Sequence, residues 1–262
     1  MNKYIGMISK AAFIAFFAIL ILSSCVPMKK IRYLQADSKD QPVQATYAQK
    51  DTAFYRVQPG DDLYIRIGSL DEKYNTFEKS DAYNNYYTEA AIYLNSYSVS
   101  DSGFVEFPLI GKVKVENLRV SQIRDTLQAR VNQYVKNTVV IVKLSNFKIS
   151  MLGEFKAPGK YLVYQDKISI FEAIAMAGDM TTFAKKSEVM LVRQEDKGTK
   201  TYFVNLNDRS ILSSDFYYLK PNDIVYVQPV KGKQFAFSEF PYVLILTTIT
   251  TTILLLDYFA NH

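Results

Sequence analysis

The 262-residue sequence has little of the chemistry on which most enzymes depend. It contains one cysteine, one histidine and no tryptophan. A single cysteine excludes a disulfide, a cysteine-metal cluster and a dithiol redox pair. The lone histidine is His262, the last residue, which excludes a histidine-based triad and argues against a zinc site.

Motifs of common catalytic sites are missing as well. The sequence has no Gly-rich phosphate loop, no GxSxG elbow and no HExxH stretch. Asp61 and Asp62 form an acidic pair, but neighbouring residues of a strand point to opposite faces, which favours a role in a turn. The sequence therefore predicts no catalytic residue, no metal site and no cofactor.

Charge of one sign is not in large excess. The chain has 31 basic and 26 acidic residues, a formal net charge of +5, which argues against a nucleic-acid partner. Apolar residues make up 48% of the chain, enough for the cores of one or two small domains. Twenty tyrosines and 17 phenylalanines favour a β-rich fold.

What the sequence does have begins with a signal-like start. Lys3 and Lys10 form a basic region before a twelve-residue apolar run, Ala11 to Leu22. This run is too short to span a bilayer. It ends in Leu22-Ser23-Ser24-Cys25, which looks like the lipobox of bacterial lipoproteins. We therefore expect a signal peptide at 1–24, lipidation of Cys25 with palmitate among the acyl chains, and a polar tether to the first domain at 25–53.

The other end of the chain predicts a transmembrane helix at 240–259. Its uncharged core, Tyr242 to Leu256, is about 22 Å long as a helix, against about 30 Å for a bilayer core, so aromatic residues must extend it. One side is aliphatic, and the opposite side carries five threonines, which suits a helix that meets other helices or water in a pore. A plain anchor and a buried β segment remain open. The predicted polar face consists of Thr247, Thr248, Thr250, Thr251 and Thr252.

One turn motif occurs twice in the sequence between these two ends. Pro59-Gly60-Asp61 precedes an alternating strand, and Pro221-Asn222-Asp223 precedes another. Proline followed by glycine or asparagine is typical of a type II turn, which needs a positive φ at its third residue. The repeat indicates either two related structural units or a single strand-turn-strand motif placed at each end of the folded region.

The first unit is predicted as β-β-α-β. Strands joined around Pro108 and Gly111 form a hairpin, and a strand from Val139 to Leu144 closes the unit. The helix between them is expected from Ser121 to about Tyr134, with Ile123, Leu127, Val131 and Tyr134 buried. Gly68 to Ser102 is a tyrosine-rich insertion, which we expect to pack on its own domain or a neighbouring subunit; stacking on sugars is the alternative.

The second unit opens at Gly153 and a second Pro-Gly turn, Pro158-Gly159. Ser169 and Glu172 form a capping box for a short helix that ends at Gly178 in the position after the C-cap. Strands are predicted at Val189 to Arg193 and Thr201 to Leu206. The motif residues of this helix are Glu172, Ala173, Ala177 and Gly178.

Taken in order, these motifs resemble the outer-membrane polysaccharide export proteins. The resemblance implies an α+β protein with a polysaccharide export domain at 54–146, a soluble-ligand-binding β-grasp domain at 147–230, a linker at 231–239 and the C-terminal helix. This sequence departs from the family pattern in having one β-grasp repeat and a tyrosine-rich insertion. Asp179 stands where glycine is usual, which we expect to matter little at a helix exit.

The resemblance also implies a function and partners. A ring of chains, typically an octamer, would form a channel that exports capsular or exopolysaccharide across the outer membrane, with most of each lipid-anchored chain in the periplasm. An inner-membrane polysaccharide co-polymerase, often linked to a tyrosine kinase, would be its partner. The alternative is a lipid-anchored module that binds polysaccharide or a partner without forming a pore.

Overall fold

A computed structural model describes residues 32–35, 46–47, 54–69, 89–108, 110–195, 198–230, 233 and 241–261. The predicted signal peptide, Cys25, most of the tether, most of the tyrosine-rich insertion, nearly all of the linker 231–239 and His262 lie outside the described residues. Within them, helices and strands alternate around two hydrophobic cores, so the prediction of an α+β protein is confirmed.

The first unit surrounds one of these cores. Its elements are β1 (Asp62–Ser69), α1 (Glu89–Leu94), β2 (Ser96–Ser98), β3 (Phe104–Phe107), β4 (Gly111–Lys114), α2 (Val120–Val131) and β5 (Thr138–Leu144). An antiparallel sheet has the order β2-β1-β5, and β3 and β4 form the predicted hairpin. In β1, the buried Leu63 and Ile65 alternate with the exposed Arg66, as a half-buried strand requires. The structure adds α1 and β2 to the predicted order.

Helix α2 packs on β5 and differs from its prediction at both ends. It begins at Val120, where the Gln122 side chain accepts the Arg119 amide at 2.9 Å, and not after a Ser121 cap. Ile123, Leu127 and Val131 are buried as predicted. Tyr134 is exposed, because the helix ends at Val131 and helical spacing no longer applies beyond it.

The second unit holds the larger core. Its elements are β6 (Lys148–Gly153), β7 (Gly159–Leu162), β8 (Ile168–Ser169), α3 (Ile170–Met176), β9 (Ala184–Glu195), β10 (Gly198–Val204), a 3₁₀ turn (Arg209–Ser213), β11 (Tyr218–Leu219) and β12 (Ile224–Pro229). The main sheet has the order β10-β9-β12-β6-β7, and its one parallel pair is β12 with β6. The short pair β8 and β11 lies apart from this sheet.

Helix α3 forms as its capping box predicts. The Glu172 amide donates to Ser169 Oγ at 3.2 Å, and the Ser169 amide donates to the Glu172 carboxylate at 2.7 Å. Gly178 has a φ of +71°, as the residue after the C-cap requires. The predicted Pro158-Gly159 turn is wrong: Gly159 starts β7 without a positive φ, because the chain reaches this strand through bends.

The last helix, α4, runs from Tyr242 to Asn261 and begins with the Ile245 amide donating to the Pro241 carbonyl at 3.3 Å. A buried β segment is therefore excluded. Across the part of the chain that the structure describes, no helix has the length and apolarity to cross a membrane.

Candidate functional site

The two Pro-X-Asp turns have the same hydrogen bonds, so the sequence repeat is also a structural one. Gly60 has a φ of +86° and Asn222 of +63°, as type II turns require at this position. The Asp61 and Asp223 amides each donate to the carbonyl three residues earlier at 3.2 Å. Their carboxylates accept the amides of those same residues, Gln58 and Lys220, at 2.8 and 2.7 Å.

The two buried carboxylates differ in their second partner. Asp223 forms a bidentate ion pair with Arg193, with Nε–Oδ1 and Nη2–Oδ2 distances of 2.9 and 2.6 Å, and both side chains are buried. Asp61 instead accepts a hydrogen bond from the Tyr55 hydroxyl at 2.8 Å. The first turn therefore buries a carboxyl group beside a phenol where the second buries one beside a guanidinium.

These environments shift the pKa values around Asp61. Burial raises the pKa of Asp61, against the opposing hydrogen bonds from Gln58, Tyr55 and Asn146. Burial and the neighbouring Asp61 raise the pKa of the Tyr55 hydroxyl, and the charge of Asp223 adds to that rise. The Tyr55 hydroxyl therefore feels the charges of both turn carboxylates.

Both turns also hold the connection between the two units. Ser145 donates its amide and its hydroxyl to the Asp62 carbonyl at 2.8 and 2.9 Å. The Asn222 amide donates to the Lys148 carbonyl at 2.7 Å. Leu144, directly before this connection, contacts both cores. The hydrogen bonds of the two turns therefore hold the connection from β5 to β6 in place.

A line of aromatic rings follows this junction and continues along the second unit; we call it the aromatic ribbon. Lys167 lies between two of its rings, with Nζ 5.3 Å from the Phe54 centroid and 4.9 Å from that of Tyr218. Arg119 covers Phe54 at 4.7 Å from the first unit. The ribbon consists of Phe54, Tyr218, Tyr217, Phe171 and Tyr33, with centroids of the last four 4.8, 6.3 and 5.9 Å apart in that order.

Tyr33 belongs to a short N-terminal strap, residues 32–35, that is bound to the second unit. The Leu34 and Gln35 amides donate to the Leu206 and Asn207 carbonyls at 3.1 and 2.6 Å. Arg209 Nε donates to the Leu34 carbonyl at 3.0 Å. Backbone hydrogen bonds thus attach these four residues of the predicted tether to the second unit.

Asp179 fastens this strap. Its carboxylate accepts the Tyr33 hydroxyl and the Met180 amide, each at 2.7 Å, and its φ is +72°. The Lys186 ammonium lies 3.9 Å from the Tyr33 ring centroid. The expectation that aspartate at this position matters little is therefore wrong, since glycine offers no acceptor to Tyr33.

The Gly153-Glu154 motif joins β6 to β12. A Cβ on Gly153, whose φ is +87°, would lie 2.0 Å from the Val227 carbonyl oxygen. The Glu154 carboxylate accepts Thr181 Oγ1 at 2.5 Å and Lys233 Nζ at 2.9 Å. Burial raises the pKa of Glu154, but these hydrogen bonds and the Lys233 charge outweigh it and hold the pKa below its ordinary value. The motif thus sets strand packing and holds the chain after β12.

Helix α4 is exposed from Val243 to Leu255 in the single chain. Ile245, Ile249 and Ile253 are among its exposed aliphatic residues. The hydroxyls of the predicted polar face donate to helix carbonyls three or four residues earlier at 2.7–3.0 Å, so their hydrogen bonds are met within the helix. The predicted role of the five threonines in a pore stays a prediction.

Among the predicted motif residues, Asp61 and Asp223 have the same turn hydrogen bonds, and the others have separate local roles. Pro108 and Gly111 belong to the β3–β4 connection, where Gly111 has a φ of +73°. Ala173, within α3, and Ala177, its C-cap residue, are both buried. Sequence reasoning missed Arg193, the strap and the ribbon, because their partners are far apart along the chain and carry no spacing signal.

Comparison with known proteins shows what the first unit is similar to. Residues 49–145, which include nearly all of the first unit, match the family of polysaccharide biosynthesis/export proteins. The match covers 97 of the 262 residues, less than half of the chain, and shows that this region is similar to polysaccharide export proteins.

Two curated relatives agree with this assignment. The EPS I polysaccharide export outer membrane protein EpsA of Ralstonia nicotianae is 27% identical over 146 residues, which are 53% of this chain and 38% of the relative. The protein of the same name from Ralstonia solanacearum is 25% identical over 184 residues, 67% of this chain and 48% of the relative. The chain thus spans less than half the length of the curated relatives it matches.

Proposed function

We propose that this protein exports capsular or exopolysaccharide at the outer membrane as part of an oligomeric channel. The match of residues 49–145 to the export family carries the proposal. The relatives are named polysaccharide export outer membrane proteins, which supports the same substrate class and the same location. A family of export proteins also supports a role that is not enzymatic.

In this proposal each chain is a lipoprotein attached through Cys25, with both units in the periplasm. The first unit is the export domain at 54–146, and the second, at 147–230, is a soluble-ligand-binding β-grasp domain. The hairpin β6–β7, the single helix α3 and the central parallel pair β6 and β12 support the second assignment. An inner-membrane polysaccharide co-polymerase, with its tyrosine kinase, is the proposed source of the polymer.

Helix α4 supports the oligomeric part of the proposal. Its aliphatic side chains are exposed among the described residues, and large exposed apolar surfaces are typical of contacts between proteins. We assign this contact to α4 of neighbouring copies, in a ring that is an octamer by family resemblance. With the aliphatic side in this contact, the five threonines face the lumen, with their hydroxyls already bonded within the helix.

The size of the detergent-extracted full chain tests the oligomer. Multi-angle light scattering is expected to give a mass of several chains for the wild type and a smaller one for Ile249→Lys, since a charge opposes burial of that site. Thr251→Lys lies on the opposite side of α4 and is the matched control. Its measured mass should stay closer to that of the wild type than the mass of Ile249→Lys. A wild-type monomer would instead favour a lipid-anchored binding module without a pore.

The lipid anchor has its own test, because Cys25 lies outside the described residues. Cys25→Ser is expected to accumulate unprocessed precursor and to lose labelling by a palmitate analogue. Normal labelling of that variant would contradict the lipoprotein assignment while leaving the export function open.

A further inference from the structure

We propose that the aromatic ribbon is a binding surface for an anionic polysaccharide chain. This inference rests on the proposed function. It adds where the polysaccharide binds and that the polysaccharide is negatively charged. The ribbon is continuous across the junction, since Phe54 precedes the first unit's core and Tyr217 and Tyr218 belong to the second.

The rings remain accessible although they contact one another. Phe54 is 45% exposed, and Tyr33, Phe171, Tyr217 and Tyr218 are half-buried. None of the five is among the fully buried side chains of either core. An accessible ring can pack against the C–H face of a sugar, and a tyrosine hydroxyl can also hydrogen-bond to the sugar hydroxyls.

The charge beside the ribbon favours an acidic sugar over a neutral one. Lys167 is exposed between Phe54 and Tyr218, and its ammonium can meet a carboxylate of a sugar stacked on either ring. The nearby Glu172 is engaged by Ser169, and Asp166, next to Lys167 in sequence, is paired with Lys143 at 3.0 Å. Glu172 and Asp166 therefore each have another partner, although, after the Ser169 hydrogen bonds, the charge of Lys167 also helps to lower the pKa of Glu172.

A purely structural role makes a different prediction. If the ribbon only joins the strap and the two units, its loss should lower the free energy of unfolding and leave saccharide binding unchanged. Phe54 and Lys167 are suited to this distinction because both side chains are exposed, so that their replacement removes little buried surface.

The test is isothermal titration of the purified full chain with two probes of the same length, an oligogalacturonate heptamer and the neutral maltoheptaose. Lys167→Gln is expected to weaken binding of oligogalacturonate about fivefold and leave maltoheptaose unchanged, the loss typical of one cation–π and charge contact. Phe54→Leu should weaken both probes about fivefold, because it removes a ring face.

Matched controls come from exposed residues of the second unit outside the ribbon. Lys160→Gln and Tyr164→Leu should each change binding by less than about twofold, as for ordinary surface substitutions. No binding of oligogalacturonate to the wild type would overturn the inference. Equal effects of Lys167→Gln and Lys160→Gln, or equal losses of both probes in Lys167→Gln, would also overturn it.

Failure of this inference is separable from failure of the proposed function. A host deleted for the gene should lose secreted polysaccharide, and wild-type chain should restore it. If the deletion leaves secretion intact, the proposed function is wrong. If the deletion abolishes secretion but the ribbon variants bind and secrete like the wild type, only the ribbon inference is wrong.

Discussion

Asp61 and Asp223 occupy the same position in two turns with the same hydrogen bonds, yet only Asp223 faces a guanidinium. Asp61 is 4% exposed and accepts from the Tyr55 hydroxyl and the Gln58 amide. One repeated turn thus buries a carboxylate in an ion pair, and the other buries a carboxyl group whose pKa is raised by burial.

Replacing this carboxyl group by an amide should stabilise the protein at neutral pH. Because the pKa of Asp61 is raised in the folded state, the folded protein binds the proton more tightly, and the free energy of unfolding rises as pH falls through that pKa. Asp61→Asn keeps an acceptor oxygen without the charge, so it should raise the free energy of unfolding at pH 7.

Chemical denaturation at pH 7 and pH 5 checks this, with Asp62→Asn, the half-buried neighbour, as the control. The gain of Asp61→Asn over the wild type should shrink at pH 5. A loss of stability at pH 7 would mean that the charge itself is needed in the turn.

The ion pair of the second turn predicts the opposite behaviour. Arg193→Met leaves Asp223 buried without its cation, which typically costs about 3–5 kcal/mol. The double variant Arg193→Met/Asp223→Asn should recover a large part of that loss, since no buried charge remains unpaired. Urea unfolding of the two variants measures the difference, and equal stabilities would show that the pair contributes through packing alone.

Gly153 and Gly60 separate steric clash from backbone strain. Both have a positive φ, but a Cβ on Gly60 meets nothing within 4 Å, whereas one on Gly153 meets the Val227 carbonyl. Gly60→Ala should therefore cost about 1–2 kcal/mol of stability, and Gly153→Ala should cost more and disturb the β6–β12 pair. Thermal melting of the two variants side by side gives the comparison, which fails if Gly153→Ala is the milder change.

The strap predicts a local effect of a single hydroxyl. Tyr33→Phe removes the hydrogen bond to Asp179, so the strap should open more often and the Leu34 and Gln35 amides should exchange faster with deuterium. Tyr164→Phe, at an exposed site in the same unit, is the control. Unchanged exchange at both amides would show that the backbone bonds hold the strap without Asp179.

Local features of the fold followed from the sequence, whereas long-range ones did not. The two type II turns, the β3–β4 hairpin and the α3 capping box depend on residues within a few positions of one another, and all formed as predicted. The predicted burial of Tyr134 was wrong because the helix ends at Val131. The predicted turn at Gly159 was wrong because β7 starts at this residue.

The strap, the Arg193–Asp223 pair and the ribbon had no such local signal. Tyr33 and Asp179 lie 146 residues apart in sequence, and only the folded second unit brings them together. The aromatic residues of the ribbon come from separate segments, and tyrosine is too frequent in this chain for any one of them to stand out.

The central claim is that this chain exports polysaccharide through an assembly of its own copies. The most direct test measures polysaccharide released by a host that lacks the gene and carries the wild type, Ile249→Lys or Thr251→Lys. We expect release to be lost in the deletion, restored by the wild type and more fully by Thr251→Lys than by Ile249→Lys at equal protein levels. Undiminished release from the deletion host would contradict the account.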